Sequence, residues 1–341
     1  MRGIELTPEH PVPRLADLGA RAEAAGFDTV FTSCHYNNRD PFLALGEIAG
    51  ATDEVSLGPG VVNPHEVHPV RLASALATLD ELSGGRAVLG IGPGDPSTLR
   101  NLGLLDERGL RPVLEAFETA RALWRGERVT RDGTFVAADA GLNYEPPSGD
   151  GIPVYVGGEG PHMCRMAAKR ADGLLFNGSH PDDLAWAREQ VEIGLEDRPG
   201  AQDGRVGRDG RDGNGGFDLV AYASVSVAED VDAARAAARP PAAFIAAGAA
   251  PPVLDRHGID ADRAADVGDA ISAGRFAEAF GLVTDAMIDA FSAAGTPESV
   301  GARLGSLLEH ADGVVVGAPL GPDLEAAVDL AAAALDRAEG R

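Results

Sequence analysis

Short apolar runs alternate with longer stretches in which apolar positions recur every three or four residues, and this alternation repeats along the whole chain of 341 residues. A short apolar run bounded by turn residues fits a strand buried on both faces, and the 3.6-residue rhythm fits a helix with one apolar side. The strands expected are Gly3–Leu6, Asp28–Ser33, Glu54–Val62, Arg86–Gly94, Pro153–Gly158, Gly173–Gly178, Phe217–Ala228 and Gly313–Pro319. The helices expected are Val12–Ala25, Pro41–Ala51, Pro69–Leu82, Leu110–Arg125, Pro161–Ala171, Pro181–Leu195, Val231–Ala246 and Asp323–Ala338. Several open on proline, whose missing N–H costs nothing in a first turn. Eight strand–helix pairs is the count that closes a parallel (β/α)8 TIM barrel, whereas a doubly wound sheet needs fewer strands.

Three segments break the rhythm. Gly126–Gly151, rich in glycine and proline, is an excursion between the fourth helix and the fifth strand. Asp197–Gly216 has no apolar periodicity and reads as a flexible surface insertion, its Asp-Gly repeats only faintly suggesting calcium. Ala247–Thr296 reads as a helical insertion before the eighth strand, placed where it could cap a site. The expectation is one barrel domain over residues 1–341 carrying these insertions.

Charge narrows the partners. Asp plus Glu number 53 against 29 Lys plus Arg, and the net charge of −24 argues against nucleic acid or an anionic membrane surface. Lys169 is the only lysine. A GC-rich genome that turns lysine codons into arginine explains that scarcity but not the acid excess, which fits a halophilic cytoplasm where molar salt screens repulsion over roughly 3 Å. Cys34 and Cys164 are too few for a disulfide framework and imply a reducing compartment. No apolar run reaches the ~18 residues of a membrane span, and the start reads as a strand without a signal peptide, so the expected location is cytoplasmic.

Glycine-bearing turns end several strands: Leu57-Gly58-Pro59-Gly60-Val61-Val62-Asn63-Pro64, Leu89-Gly90-Ile91-Gly92-Pro93-Gly94-Asp95 and Val154-Tyr155-Val156-Gly157-Gly158-Glu159-Gly160-Pro161. In a barrel of this type such turns line the C-terminal rim, where active sites sit. Two carboxylates lie at such ends, Glu5 and Asp95, and a facing pair can work as proton donor and partner. Glu5 reads equally as a surface acid, and Asp95 as the cap of the Pro96-Ser97 turn. The run His65-Glu66-Val67-His68 invites a metal reading, with His35 nearby, but its histidines are three apart and precede Pro69, so helix-start polar residues are the better reading and no metal is expected. Gly90-x-Gly92-x-Gly94 mimics a dinucleotide fingerprint, yet Pro93 interrupts it and the spacing is wrong. Gly157 and Gly158 before a helix, and Asn177, Gly178 and Ser179 before the next, offer N–H groups that could hold a phosphate, with tight packing as the alternative.

Together these motifs resemble the coenzyme F420-dependent methylenetetrahydromethanopterin reductases of the luciferase-like superfamily, nearly end to end. The resemblance rests on Gly3-Ile4-Glu5, His35-Tyr36-Asn37-Asn38, Leu57–Val61 with Asn63-Pro64, Ala77–Ser83, Leu89–Asp95, Phe244–Gly248, Arg256-His257-Gly258 and Gly317–Pro322. It implies a TIM barrel and hydride transfer from reduced deazaflavin to the methylene bridge of a pterin, giving the methyl form. It implies a cis peptide at Gly60-Val61 against the cofactor ring, Glu5 as the acid that protonates the bridging amine, and a supporting role for Asp95. It assigns His35, Gly60, Val61 and Asn63 to the cofactor ring, and Gly157, Gly158, Asn177, Gly178 and Ser179 to its phosphate side. Where that family usually has Asp, this chain has Cys34, and its lysines near the site are absent. The expected partners are the pterin, with tetrahydrofolate as the alternative to tetrahydromethanopterin, and further copies of the chain. Another F420 or FMN oxidoreductase of the superfamily, and a ligand-holding barrel without catalysis, are the competing readings.

Overall fold

All eight predicted strands form, and each is followed by its helix. In chain order the strands are β1 (Arg2–Glu5), β2 (Thr29–Thr32), β3 (Ser56–Pro59), β4 (Leu89–Ile91), β5 (Val129–Asp132), β6 (Val136–Ala140), β7 (Val154–Gly157), β8 (Gly173–Asn177), β9 (Asp218–Val227), β10 (Ala293–Gly295) and β11 (Gly313–Leu320). This computed structural model describes residues 1–104, 109–199 and 216–341, so residues 200–215 of the expected surface insertion lie outside the described residues.

The described chain forms two compact units, the first built from Gly3–Phe176 and Glu189–Val220, the second from Asn177–Arg188 and Ala221–Arg341. In the first unit the parallel strands neighbour one another in chain order. Gly3 pairs with Thr29 and Glu5 with Phe31; Thr29 pairs with Ser56 and Thr32 with Pro59. On the other side Leu89 pairs with Val154, and Tyr155 with Gly173. Between the β3 and β4 segments, isolated parallel bridges join Leu57 with Ala87 and Val62 with Ile91. Both strands are therefore shorter than the apolar pattern suggested: after Pro59 the chain leaves the ladder, the Gly60–Val61 peptide is cis, and Val62 rejoins beyond it. The strands read as continuous apolar runs because they are buried on both faces, with Ile4, Val30, Leu57, Leu89 and Val156 fully inaccessible.

The Gly126–Gly151 excursion is ordered. It folds as an antiparallel hairpin of β5 and β6, and Phe135 at its turn packs against the rings of His65 and His68 at centroid distances of 5.2 and 5.9 Å. A short helix, Pro96–Leu102, follows β4 where the sequence suggested only a turn. Elsewhere in this unit Arg86 donates to the carbonyls of Ala49 and Thr52, which the end of helix Pro41–Ala51 leaves open, and to those of Val55 and Ser83.

The second unit holds β11, most of β9, and the unanticipated β10, which pairs in parallel with β9 through Ala293–Val225. Three residues carry too little pattern to announce a strand. Helices Val231–Gly248, Pro251–Arg256, Ala261–Ser272, Phe276–Leu282 and Asp285–Phe291 pack around an alanine-rich core that includes Ala242, Ala246, Val267, Met287 and Phe291.

Candidate active site

At the C-terminal ends of the first unit's strands, glycines make room for one side chain. A Cβ on Gly157 would lie 2.9 and 3.1 Å from the two methyls of Val61, and one on Gly92 would lie 2.7 Å from Val61 Cγ2. A Cβ on Gly90 would come within 2.2 Å of the Pro59 carbonyl oxygen. The glycines of β4 and β7 thus serve the bulge after β3: they let it lie across neighbouring strand ends with Val61 seated between them. The spacing that mimicked a nucleotide fingerprint is a packing pattern.

Around this bulge the structure gathers the acids. Glu5, only 9% exposed, ends β1, and Cys34 follows β2 with its thiol directed at the Thr32 carbonyl, 3.6 Å away. Burial pushes that thiol far above its ordinary range, and the charges of Glu66, Glu5 and Asp40 push it further, which disfavours the thiolate. Asp95 does two things at once. Its Oδ1 accepts the Thr98 N–H at 3.1 Å, capping helix Pro96–Leu102, and its Oδ2 lies 4.0 Å from His35 Nδ1. The capping role considered for Asp95 is thus seen, and its second oxygen faces His35, with the carboxylate 41% exposed.

The structure splits the motif that contains Glu66. The His68 ring lies 3.3 Å from the Val136 carbonyl and, with His65, brackets Phe135, so both histidines face the hairpin. Asn63 Oδ1 accepts the His65 N–H at 2.8 Å and the Asn63 carbonyl accepts the Glu66 N–H at 3.2 Å, a turn that fixes the chain just past the bulge. Glu66 faces the acids: burial raises its pKa, His35 opposes the rise and Asp95 adds to it.

Several polar atoms here have no partner. Thr32 Oγ1, Ser33 Oγ, Asn63 Nδ2 and His65 Nε2 are inaccessible and make no hydrogen bond among the described residues. An unpaired buried polar group costs about 1–3 kcal/mol, so those of Thr32, Ser33 and Asn63 are groups that a polar ligand could satisfy, while His65 turns to the hairpin. Asn63 Nδ2 lies beside Gly94, where a Cβ would come within 2.4 Å of it.

The remaining predicted residues are Gly158 in the first unit and Asn177, Gly178 and Ser179 in the second. The N–H of Gly158, expected to be free for an anion, donates to the Leu175 carbonyl at 3.2 Å and belongs to the sheet; a Cβ there would strike Met163. In the second unit Asn177 is exposed and Gly178 buried, while the buried Ser179 hydroxyl accepts the Ser224 N–H at 3.0 Å and its carbonyl accepts from Arg303. That turn is tied inward. His180 beside it stacks edge-on against His257 at 4.7 Å, and Asp183 accepts from both His257 and Arg256. Burial, Arg303 and His257 hold His180 below the usual histidine range.

Comparison with known proteins fits this arrangement. The luciferase-like monooxygenase family profile matches residues 2–317. A 5,10-methylenetetrahydromethanopterin reductase of Archaeoglobus fulgidus is 41% identical over 334 residues, covering 96% of each chain. One from Methanolobus tindarius is 39% identical over 330 residues, covering 96% of this chain and 97% of its own. The crystal structure of the coenzyme F420-dependent tetrahydromethanopterin reductase of Methanopyrus kandleri superposes with a TM-score of 0.87 at 35% identity, covering 97% of this chain and 96% of the other, and the fold is a (β/α)8 TIM barrel of the luciferase-like type. The chain therefore belongs to the luciferase-like monooxygenase family, on the branch of its 5,10-methylenetetrahydromethanopterin reductases.

Proposed function

We propose that this protein is a coenzyme F420-dependent oxidoreductase that reduces the methylene bridge of 5,10-methylenetetrahydromethanopterin to the 5-methyl form. The observation that carries the proposal is similarity to the reductases over nearly the full length of both chains. The residues present fit the cofactor: the orphaned groups of Thr32, Ser33 and Asn63 suit the alternating carbonyl and N–H edge of a deazaflavin ring, and the glycine-seated Val61 offers an apolar face beside them. When bound, reduced F420 supplies a hydride from ring carbon and avoids oxygen chemistry.

The chain's own residues handle protons and position. Glu5, almost fully withdrawn from solvent, is placed to hold a proton at its carboxyl for the bridging amine of the pterin. Asp95, anchored by the Thr98 N–H, presents its second oxygen toward His35 and tunes the charge around Glu5. His35, Gly60, Val61 and Asn63 are the ring-side residues in this reading. Gly157 supports Val61 from beneath; Gly158, Asn177, Gly178 and Ser179 keep their phosphate-side assignment from the family resemblance alone. The reading needs no metal.

The acid excess supports a halophilic, cytoplasmic setting, and a homo-oligomer without nucleic acid or membrane partners completes the reading. No helix among the described residues is long and apolar enough to cross a membrane. The test is to titrate the purified protein in molar potassium chloride with reduced F420 and, separately, methylenetetrahydromethanopterin and methylenetetrahydrofolate. Reoxidation of the cofactor, followed by its absorbance, is expected with a methylene pterin; reoxidation by oxygen with FMN in its place would overturn the assignment.

A further inference from the structure

An exposed aromatic ring is held in place at the rim of the first unit. Tyr36, on the loop that follows β2, is 48% exposed, yet its hydroxyl accepts an N–H from Asn101 Nδ2 at 3.0 Å. Asn101 belongs to helix Pro96–Leu102, the helix that Asp95 caps, and Asp95 Oδ2 lies 4.0 Å from Nδ1 of His35, the residue before Tyr36. Two contacts therefore join the loop after β2 to the helix after β4. The strand between them is β3, whose continuation is the Gly60–Val61 bulge. Gly94 borders both Leu99 of that helix and Asn63 beyond the bulge, so the helix packs against the same segment. Folding gains little from a large ring left half in solvent, and fixing the ring removes side-chain freedom. A tyrosine held this way offers a preset flat face at little entropic cost on binding, and its hydroxyl still has its own proton to donate.

We propose that Tyr36 is a specificity-determining residue for the substrate: its ring packs against the flat pyrimidinone ring of the pterin, and Asn101 positions it for that contact. This rests on the reductase reading above and deepens it. Tyr36 follows β2 and Glu5 ends β1, and the two strands pair directly, so a face for the pterin and a proton for its bridging amine stand on neighbouring strand ends. The hydride goes to the methylene bridge and not to the pyrimidinone ring. A contact with that ring is therefore made equally before and during the chemical step, and such binding sets KM and leaves kcat.

Steady-state kinetics and calorimetry on the full chain in molar potassium chloride test this. In Tyr36→Leu the KM for methylenetetrahydromethanopterin should rise about 10- to 100-fold, the range for a flat heterocycle stacked on an aromatic side chain, with kcat within about threefold of wild type. Binding of 5-methyltetrahydromethanopterin, to the protein alone and with oxidised F420 present, should weaken by the same factor, while the dissociation constant of F420 stays within about twofold. Tyr36→Phe keeps the ring and should recover most of the loss. Tyr36→Phe and Asn101→Ala break the same hydrogen bond, so each should cost a few-fold and the pair together no more than either alone. If KM and pterin binding in Tyr36→Leu match wild type, or if F420 affinity falls instead, the inference is overturned. A loss of melting temperature and kcat with KM unchanged, the mark of a structural residue, overturns it too. Wild-type protein that binds the pterin without reducing it overturns the reductase reading instead, and weaker pterin binding by Tyr36→Leu then still supports the inference. Wild-type protein that binds no pterin in either form overturns both.

Discussion

Gly157→Ala tests whether the glycines at the strand ends exist to seat Val61. Every close neighbour of the new Cβ belongs to Val61, with Cγ1 at 2.9 Å, Cγ2 at 3.1 Å and Cβ at 3.5 Å. Ordinary carbon contacts begin near 3.5 Å, so Val61 must move by several tenths of an ångström. Overpacking of this kind costs about 1–3 kcal/mol, and replacing glycine returns about 0.4–1 kcal/mol by restricting the unfolded chain, which leaves a net loss of roughly 1–2 kcal/mol. Val61→Ala alone removes two half-buried methyls and should cost about 1 kcal/mol. In the double variant the clash disappears, so the two losses should fall short of additivity by roughly 1–2 kcal/mol. Denaturant midpoints in molar salt measure the stability cycle, and fluorescence titration with F420 measures whether cofactor affinity, reduced about tenfold in Gly157→Ala, returns in the double variant. Additivity within about 0.5 kcal/mol would refute the claim that Gly157 is there for Val61.

The other expectations concern acid, pH and salt. Glu5→Gln should lower the single-turnover rate by about 10²–10⁴ with little change in cofactor affinity, whereas Asp95→Asn, which keeps an oxygen for the Thr98 N–H, should cost less; the reverse order would move the proton donor to Asp95. Glu23 accepts N–H groups from Asp53, Glu54 and Val55, and although burial opposes its charge, these donors and Arg86 hold its pKa below the ordinary value. A depressed carboxyl stabilises above its unfolded pKa and loses that contribution as pH falls through its folded one, so Glu23→Gln should cost about 1–2 kcal/mol at neutral pH and almost nothing once the wild-type carboxyl is protonated; a difference independent of pH across that range defeats the assignment. With a net charge of −24, melting temperature and turnover should climb together with potassium chloride, and full stability in dilute buffer would leave codon bias as the account of the single lysine.

The sequence by itself determined the order of strands and helices, because burial on both faces makes each strand a continuous apolar run and burial on one face gives each helix its rhythm. It also placed Glu5, Asp95 and the Gly60-Val61 turn at strand ends, and the order of its motifs carried the family. It could not show that Asp95 caps a helix with one oxygen and faces His35 with the other, since both roles call for the same residue at the same position. Nor could it separate the glutamate of His65-Glu66-Val67-His68 from its histidines: the hairpin that draws the two rings away lies some seventy residues later in the chain. The hairpin itself was hidden by exposure, for β6 buries too little to show an apolar pattern. Likewise the glycines at 90, 92 and 157 look like ligand turns in one dimension, and only the folded chain shows Val61 filling the space they leave. Local pattern records what each segment buries; which segments share that burial is fixed by contacts between residues far apart in sequence, and those exist only in the tertiary structure.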